Sequence, residues 1–224
     1  MEWIPLLEEH TGRFADVLAT GDLAAPVPAC PDWTLADLGE HLRSVHAWAT
    51  HAVVEGNPDG APPPVAGPGR EALVAGYREA AGSLVAVLRR TPPDAPAWTF
   101  GPAPVSAFWR RRQVHEVTMH VYDALASQGR AEEWSIAPEL AWDGVDEVVS
   151  LFYPRQVERG RTEELAGTVR LVATDVDGGV LDLGSGEPVV ELGAPARELL
   201  LTLWKRMPAG DPAAAELLTA AVTP

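Results

Sequence analysis

The sequence contains a single cysteine, Cys30, among 224 residues. One thiol cannot form a disulfide within the chain, and it excludes zinc sites that are built from several cysteines. The first residues also lack the basic and then apolar layout of a signal peptide. Both absences agree with a reducing compartment, so we expect a cytoplasmic protein.

Basic side chains and long apolar runs are also scarce. The 17 Lys and Arg residues face 32 Asp and Glu residues, which gives a net charge of −15. A chain this acidic repels nucleic acid and anionic lipid, so we expect neither as a partner. No apolar run reaches the roughly 18–20 residues of a membrane span. The remaining composition, 46% hydrophobic and 22% charged, is typical of a globular protein with one large or two small domains.

Helical periodicity dominates the first part of the chain. The spacing of apolar residues predicts four long helices, over residues 2–19, 34–55, 70–90 and 105–127. Loops rich in proline follow the second and third of them, at 57–69 and 91–104. Asp32 or Thr34 would cap the second helix, and Gly129 would end the fourth. Four helices joined by loops indicate an up-and-down bundle.

The periodicity changes after about residue 160. A fifth helical segment, 138–153, would connect the bundle to the C-terminal part of the chain. That part shows three short strands, at 168–174, 180–183 and 189–192, and then helical spacing at 194–206 and 212–222. We therefore expect an α+β protein with two domains, a helical bundle over residues 1–155 and a small α+β domain over residues 160–224.

Five of the six histidines fall in the second and fourth predicted helices. Glu116 and His120 are four residues apart, so they share a helix face and can reach one metal ion. His115 is five residues from His120 and points elsewhere. The spacing differs from that of the zinc proteases, in which two histidines are four apart, so hydrolysis with glutamate as general base is not implied.

A third metal ligand would come from the second helix. His41 and His46 lie on opposite edges of its apolar stripe, and His51 lies further along, near the loop. Periodicity does not choose among them. The alternative without metal is an ordinary surface pair of Glu116 and His120 together with half-buried histidines.

Three segments of the sequence resemble the mycothiol-dependent maleylpyruvate isomerase family, a branch of the DinB-like metalloproteins. They are CPDWTLADLGEHL at residues 30–42, RQVHEVTMHVYDA at 112–124, and LVATD at 171–175 through APARELLLTLWKR at 194–206. The resemblance implies a DinB-like up-and-down four-helix bundle followed by a domain like that of sterol carrier proteins. It also implies that His41, Glu116 and His120 bind the ion, which is usually zinc in this family.

The implied ligands would leave a zinc site with a net charge of about +1 and an open position. Such a site attracts a thiol and lowers its pKa. We therefore predict a zinc-dependent, or other divalent-metal-dependent, enzyme that activates mycothiol or a similar small thiol. The thiol would isomerise, or be transferred to, a small electrophilic and in some cases anionic substrate, as in a maleylpyruvate isomerase. The alternative is a non-catalytic metal-containing binding or regulatory protein of the same fold.

Other residues have two interpretations each. Arg206, beside Trp204, would act as a catalytic residue by reaching a substrate carboxylate, or would complement the dipole at a helix end. The run Arg110–Arg112 would hold an anion, or would be a solvated face, which we expect for at least two of the three. Asp123 would orient His120, or would be a polar residue on the helix surface.

Overall fold

A computed structural model of the chain describes residues 1–64, 67 and 69–224. These residues form two compact units, Met1–Trp134 and Ser135–Pro224. The first unit holds four long helices that pack on one another, which are α1 (Trp3–Thr20), α2 (Leu35–Glu55), α3 (Arg70–Arg90) and α4 (Ser106–Ser127). The predicted four-helix bundle is confirmed.

The bundle is held together by apolar residues that recur every three or four positions. In α2, for example, Leu35, Leu38, Leu42 and Ala49 are fully buried. This spacing places them on one face of a helix, so the sequence predicted each of the four long helices to within two residues. Part of the predicted loop at 57–69, namely residues 65, 66 and 68, lies outside the described residues.

The start of α2 is fixed by a two-stranded antiparallel sheet and a capping box. The strands are β1 (Pro26–Val27) and β2 (Cys30–Thr34), which the apolar periodicity did not predict. Of the two expected caps, Thr34 takes the position: its hydroxyl accepts from the Asp37 backbone N–H, and the Asp37 carboxylate accepts from the Thr34 backbone N–H. This reciprocal arrangement satisfies two backbone donors at the start of α2.

The second unit contains a three-stranded sheet and short helices. β3 (Thr168–Ala173) lies between β4 (Val180–Gly184), which is antiparallel to it, and β5 (Val189–Ala194), which is parallel. The helices are α5 (Pro138–Glu147), α6 (Tyr153–Glu158), α7 (Ala196–Leu203) and α8 (Pro212–Leu217), with a π-helical turn at Val148–Phe152. The predicted α+β class is thus confirmed.

The boundary between the units differs from the expected one at residues 155–160. The helical segment that begins at Pro138 packs on α7, so it belongs to the second unit. Its apolar residues, such as Leu140, Ala141 and Val145, are buried there.

Among all the residues that the structure describes, no helix is both long enough and apolar enough to cross a membrane.

Candidate metal centre

Three side chains of the bundle converge at one point. His41 projects from α2, and Glu116 and His120 project from α4. The His41 Nε2 atom lies 3.2 Å from Glu116 Oε1, and His120 Nε2 lies 3.5 Å from the same oxygen. One ligand atom from each side chain lies within 4.8 Å of the others, and no second such group of three occurs among the described residues. The structure therefore brings together the three residues that the resemblance implied.

The three donors are enclosed to different degrees. The His41 side chain is 31% exposed, whereas those of Glu116 and His120 are 16% and 11% exposed. The Trp33 ring at the end of β2 packs against the His41 imidazole, with 4.7 Å between the ring centroids. The group is thus reached from solvent on the side of His41, beside an aromatic wall.

Asp123 orients His120. Its carboxylate is fully buried, and Oδ2 lies 2.9 Å from Nδ1 of His120. The burial excludes the alternative of a polar surface residue. Because a carboxylate accepts hydrogen bonds, Nδ1 donates a proton to Asp123, and Nε2 faces Glu116.

The charges of the group are strongly coupled. Burial by itself lowers the pKa of His120, but the hydrogen bonds to Asp123 and Glu116 outweigh it and raise that pKa to about 9. Burial by itself raises the pKa of Glu116, but the Arg112 guanidinium and the two histidines outweigh it and hold that pKa well below its usual range. Without metal, an imidazolium and a carboxylate therefore face each other at neutral pH.

The arginine run is not a solvated face, so that expectation was wrong. Arg112 is buried and forms an ion pair with Glu116 Oε2. Arg110 is half-buried and donates from Nη2 to the carbonyl oxygens of Leu88 and Thr91, at 2.9 and 2.6 Å, where α3 ends. The reason is that α4 is covered on several sides, so neighbouring positions of the helix all meet other elements.

The remaining histidines of the two helices have other roles. His46 is fully buried, with Nδ1 2.7 Å from the side-chain oxygen of Gln113. His51 lies 2.9 Å from Asn57 Oδ1. His115 is buried, with its ring edge-on to that of Trp3. None of them joins the group of three.

The donor set fits a divalent metal ion. Two imidazoles and one carboxylate suit zinc and several other divalent ions. Three protein ligands, one of them with a supporting carboxylate behind it, are typical of catalytic sites that keep a position for water or substrate. The fold and this group define the chain as a helical-bundle protein with a metal-type donor set and a second, α+β unit.

The comparison with known families agrees with this class. Residues 5–125 match the family described as mycothiol maleylpyruvate isomerase N-terminal domain. That segment spans more than half of the 224 residues, so the chain belongs to this family. The family resemblance stated from the motifs is thereby confirmed. The prediction that the chain belongs to a family of enzymes is confirmed with it.

Solved structures show the same fold. A mycothiol-dependent maleylpyruvate isomerase matches with a TM-score of 0.65, and a mutant of that enzyme matches with 0.64. Each match has 12% sequence identity and covers 89% of this chain and 86% of the other. At that identity the likeness shows the fold alone. No curated protein matches the chain.

Proposed function

We propose that the chain is a zinc-dependent, or other divalent-metal-dependent, enzyme that activates a low-molecular-weight thiol. In this proposal His41, Glu116 and His120 hold the ion. The observation that supports it most directly is the placement of three ligand atoms within 4.8 Å of one another, with Asp123 fixing the ring of His120. A structural zinc site would normally be closed by a fourth protein ligand, which the described residues do not supply.

The arrangement suits a nucleophilic thiol. A divalent ion at this site would lower the pKa of a thiol and favour the thiolate at neutral pH. The protein supplies two imidazole nitrogens and one carboxylate oxygen, while Arg112 offsets part of the charge of Glu116. The half-exposed His41 side leaves an approach for a small molecule, and the Trp33 ring forms one wall of it.

The family and the solved relatives suggest which molecules take part. Because both relatives are described as mycothiol-dependent maleylpyruvate isomerase, we propose mycothiol or a similar thiol as the cofactor. The substrate would be a small electrophile such as maleylpyruvate, either isomerised or joined to the thiol. The acidic chain supports neither nucleic acid nor an anionic membrane as partner.

Arg206 is proposed to bind a carboxylate of the substrate. It follows α7 in the second unit, and its Nη1 donates to the Trp204 carbonyl oxygen at 2.6 Å while the guanidinium lies 5.6 Å from the centroid of the Trp204 ring. If the proposal holds, Arg206→Ala raises KM for an anionic substrate with metal content unchanged, and Arg206→Lys restores part of the loss. An unchanged KM in Arg206→Ala would leave the residue with its role at the helix end.

The first experiment measures metal content by mass spectrometry. We expect about one zinc per chain in the wild type and a loss in His41→Ala, Glu116→Ala and His120→Ala. His51→Ala is the matched control, because it removes a half-buried histidine from α2 outside the group. No metal in the wild type, even after reconstitution with zinc, would overturn the proposal.

The second experiment tests the chemistry on the zinc-loaded protein. Maleylpyruvate is incubated with and without mycothiol, and the cis and trans isomers are separated by chromatography. Turnover that requires both zinc and the thiol supports the proposal. If zinc is bound but neither isomerisation nor thiol transfer occurs, the alternative of a non-catalytic metal-binding protein is favoured.

A further inference from the structure

The two oxygens of the Glu116 carboxylate face different partners. Oε1 lies 3.2 Å from His41 Nε2 and 3.5 Å from His120 Nε2, within the donor group. Oε2 forms the ion pair with the Arg112 guanidinium. A carboxylate can bind a metal through one oxygen or through both, and in this structure only Oε1 faces the donor group while Oε2 is engaged by Arg112.

Arg112 is held firmly in this position. It lies one helical turn before Glu116 on α4, so the pair is spaced four residues apart. Its side chain is only 4% exposed, which leaves little room for the guanidinium to turn towards solvent. Rotation of the carboxylate to offer both oxygens to an ion would break its charge-assisted hydrogen bond to a buried guanidinium, which is costly because the arginine would be left without this partner.

We propose that Arg112 is a positioning residue that holds Glu116 as a one-oxygen ligand and so keeps a coordination position open for an anionic sulfur. This inference rests on the proposed function, because it concerns the ion that His41, Glu116 and His120 would hold. Glu116 would then make one bond to the ion, and Arg112 would be the residue that limits it to one.

The charges favour the same role. A divalent ion together with the Glu116 carboxylate would have a net charge of +1, and the negative charge of Asp123 behind His120 would reduce this net charge towards zero. The positive charge of Arg112 restores a net charge of about +1, which attracts a thiolate. Replacing Arg112 by a neutral side chain would remove that charge and release the second oxygen of Glu116 for the ion.

The test uses Co²⁺ as the metal, because its visible absorption reports the number of ligands. Wild type, Arg112→Met and Arg112→Lys are loaded with Co²⁺ alone. We expect an intense visible band, typical of four ligands, in the wild type and in Arg112→Lys. We expect a weaker band shifted to shorter wavelength in Arg112→Met, where both oxygens of Glu116 bind. Arg110→Met is the matched control, because it removes another enclosed arginine of α4 and should leave the band unchanged.

A second readout uses 2-mercaptoethanol as the thiol. Its binding to the Co²⁺ protein gives a sulfur-to-metal absorption band. We expect Arg112→Met to bind the thiol about tenfold more weakly than wild type, by analogy with the loss of metal affinity or activity when a group behind a metal ligand is removed. The wild-type spectrum is a test by itself, which remains valid if Arg112→Met does not fold. A wild-type spectrum typical of five or six ligands would overturn the inference. Identical spectra and thiol affinities in wild type and Arg112→Met would also overturn it. If the wild type does not bind Co²⁺, the proposed metal site is overturned together with this inference. If it binds Co²⁺ but gives one of the contrary results above, only the inference about Arg112 is overturned.

Discussion

His120 Nδ1 and Asp123 Oδ2 lie 2.9 Å apart, and Asp123 has no exposed surface. Since the two residues are three positions apart on α4, the helix itself sets this contact. A buried carboxylate behind an imidazole fixes the ring orientation and makes the opposite nitrogen a better metal ligand. The pair thus links the local geometry of one helix to the proposed metal site.

The first prediction concerns this pair. Asp123→Ala should lower the zinc affinity by about 10–100-fold, because the ring of His120 loses its support. Asp123→Asn should lose less, since the amide oxygen can still accept from Nδ1. Competition with a chromophoric zinc chelator measures the affinities, and circular dichroism checks that each variant is folded. Asp16→Ala, at an exposed position of α1, is the control. Equal zinc affinity in Asp123→Ala and wild type would show that the contact does not tune the site.

The second prediction is that metal affinity rises with pH. In the metal-free protein the pKa of His120 is raised to about 9, so an ion must displace a proton at neutral pH. The apparent affinity should therefore increase about tenfold per pH unit below pH 9 and level off above it. Zinc competition between pH 6.5 and 9.5 measures the slope. A flat profile over that range would mean that His120 is already neutral.

The same shift affects the stability of the metal-free protein in the opposite direction. A group whose folded pKa of about 9 exceeds the usual 6.5 stabilises the fold fully below pH 6.5, and this stabilisation is lost as the pH rises to about 9. Urea unfolding of metal-free protein at pH 7, 8 and 9 should show the decline, and His120→Gln should lack this contribution. Stability that rises over this range in the wild type would contradict the assignment of the proton.

The long helices could be predicted from the sequence because their apolar residues repeat with the helical period. The short elements could not. The β1–β2 pair spans few residues, and its register depends on contacts within the fold. The boundary between the units was misplaced because the helical pattern at 138–153 does not reveal which neighbour covers its apolar face, and the structure shows that α7 does.

The candidate site divides in the same way. The four-residue spacing of Glu116 and His120 predicted a shared face, but the choice of His41 over His46 required the family resemblance. The roles of Arg112 and Trp33 were missed. Arg112 did carry a signal, since it precedes Glu116 by four residues, but the adjacent arginines suggested a solvated face. Trp33 reaches His41 only because of the turn from β2 into α2.

The third prediction concerns the start of α2. Thr34→Ala should lower the free energy of unfolding by about 1 kcal/mol, because the hydroxyl that accepts from the Asp37 backbone is lost. Urea unfolding measures the change. Thr20→Ala is the control: its hydroxyl bonds the Asp16 carbonyl oxygen at an exposed helix end, so a change within about 0.5 kcal/mol is expected. Similar losses in both variants would argue against the capping role of Thr34.

The fourth prediction concerns acid stability and His10, which lies in α1 outside the donor group. Its side chain is buried, and Nδ1 has no hydrogen-bond partner among the described residues. Burial lowers the pKa of His10 from 6.5 to about 4, and the charge of Glu9 opposes this only in part. Between pH 6.5 and 4 the unfolded chain therefore binds a proton that the folded chain excludes, so stability falls as the pH falls.

The size of this effect can be tested with one substitution. A shift of this size corresponds to roughly 3 kcal/mol lost between pH 7 and pH 4. His10→Leu should remove that share, and the remaining decline should include the contribution of His46, whose pKa burial also lowers to about 4. Urea unfolding of metal-free protein at pH 7, 6, 5 and 4 compares the slopes. If His10→Leu and wild type lose stability equally, the imidazole of His10 must gain its proton without unfolding, and burial of α1 at this position would be looser than the structure indicates.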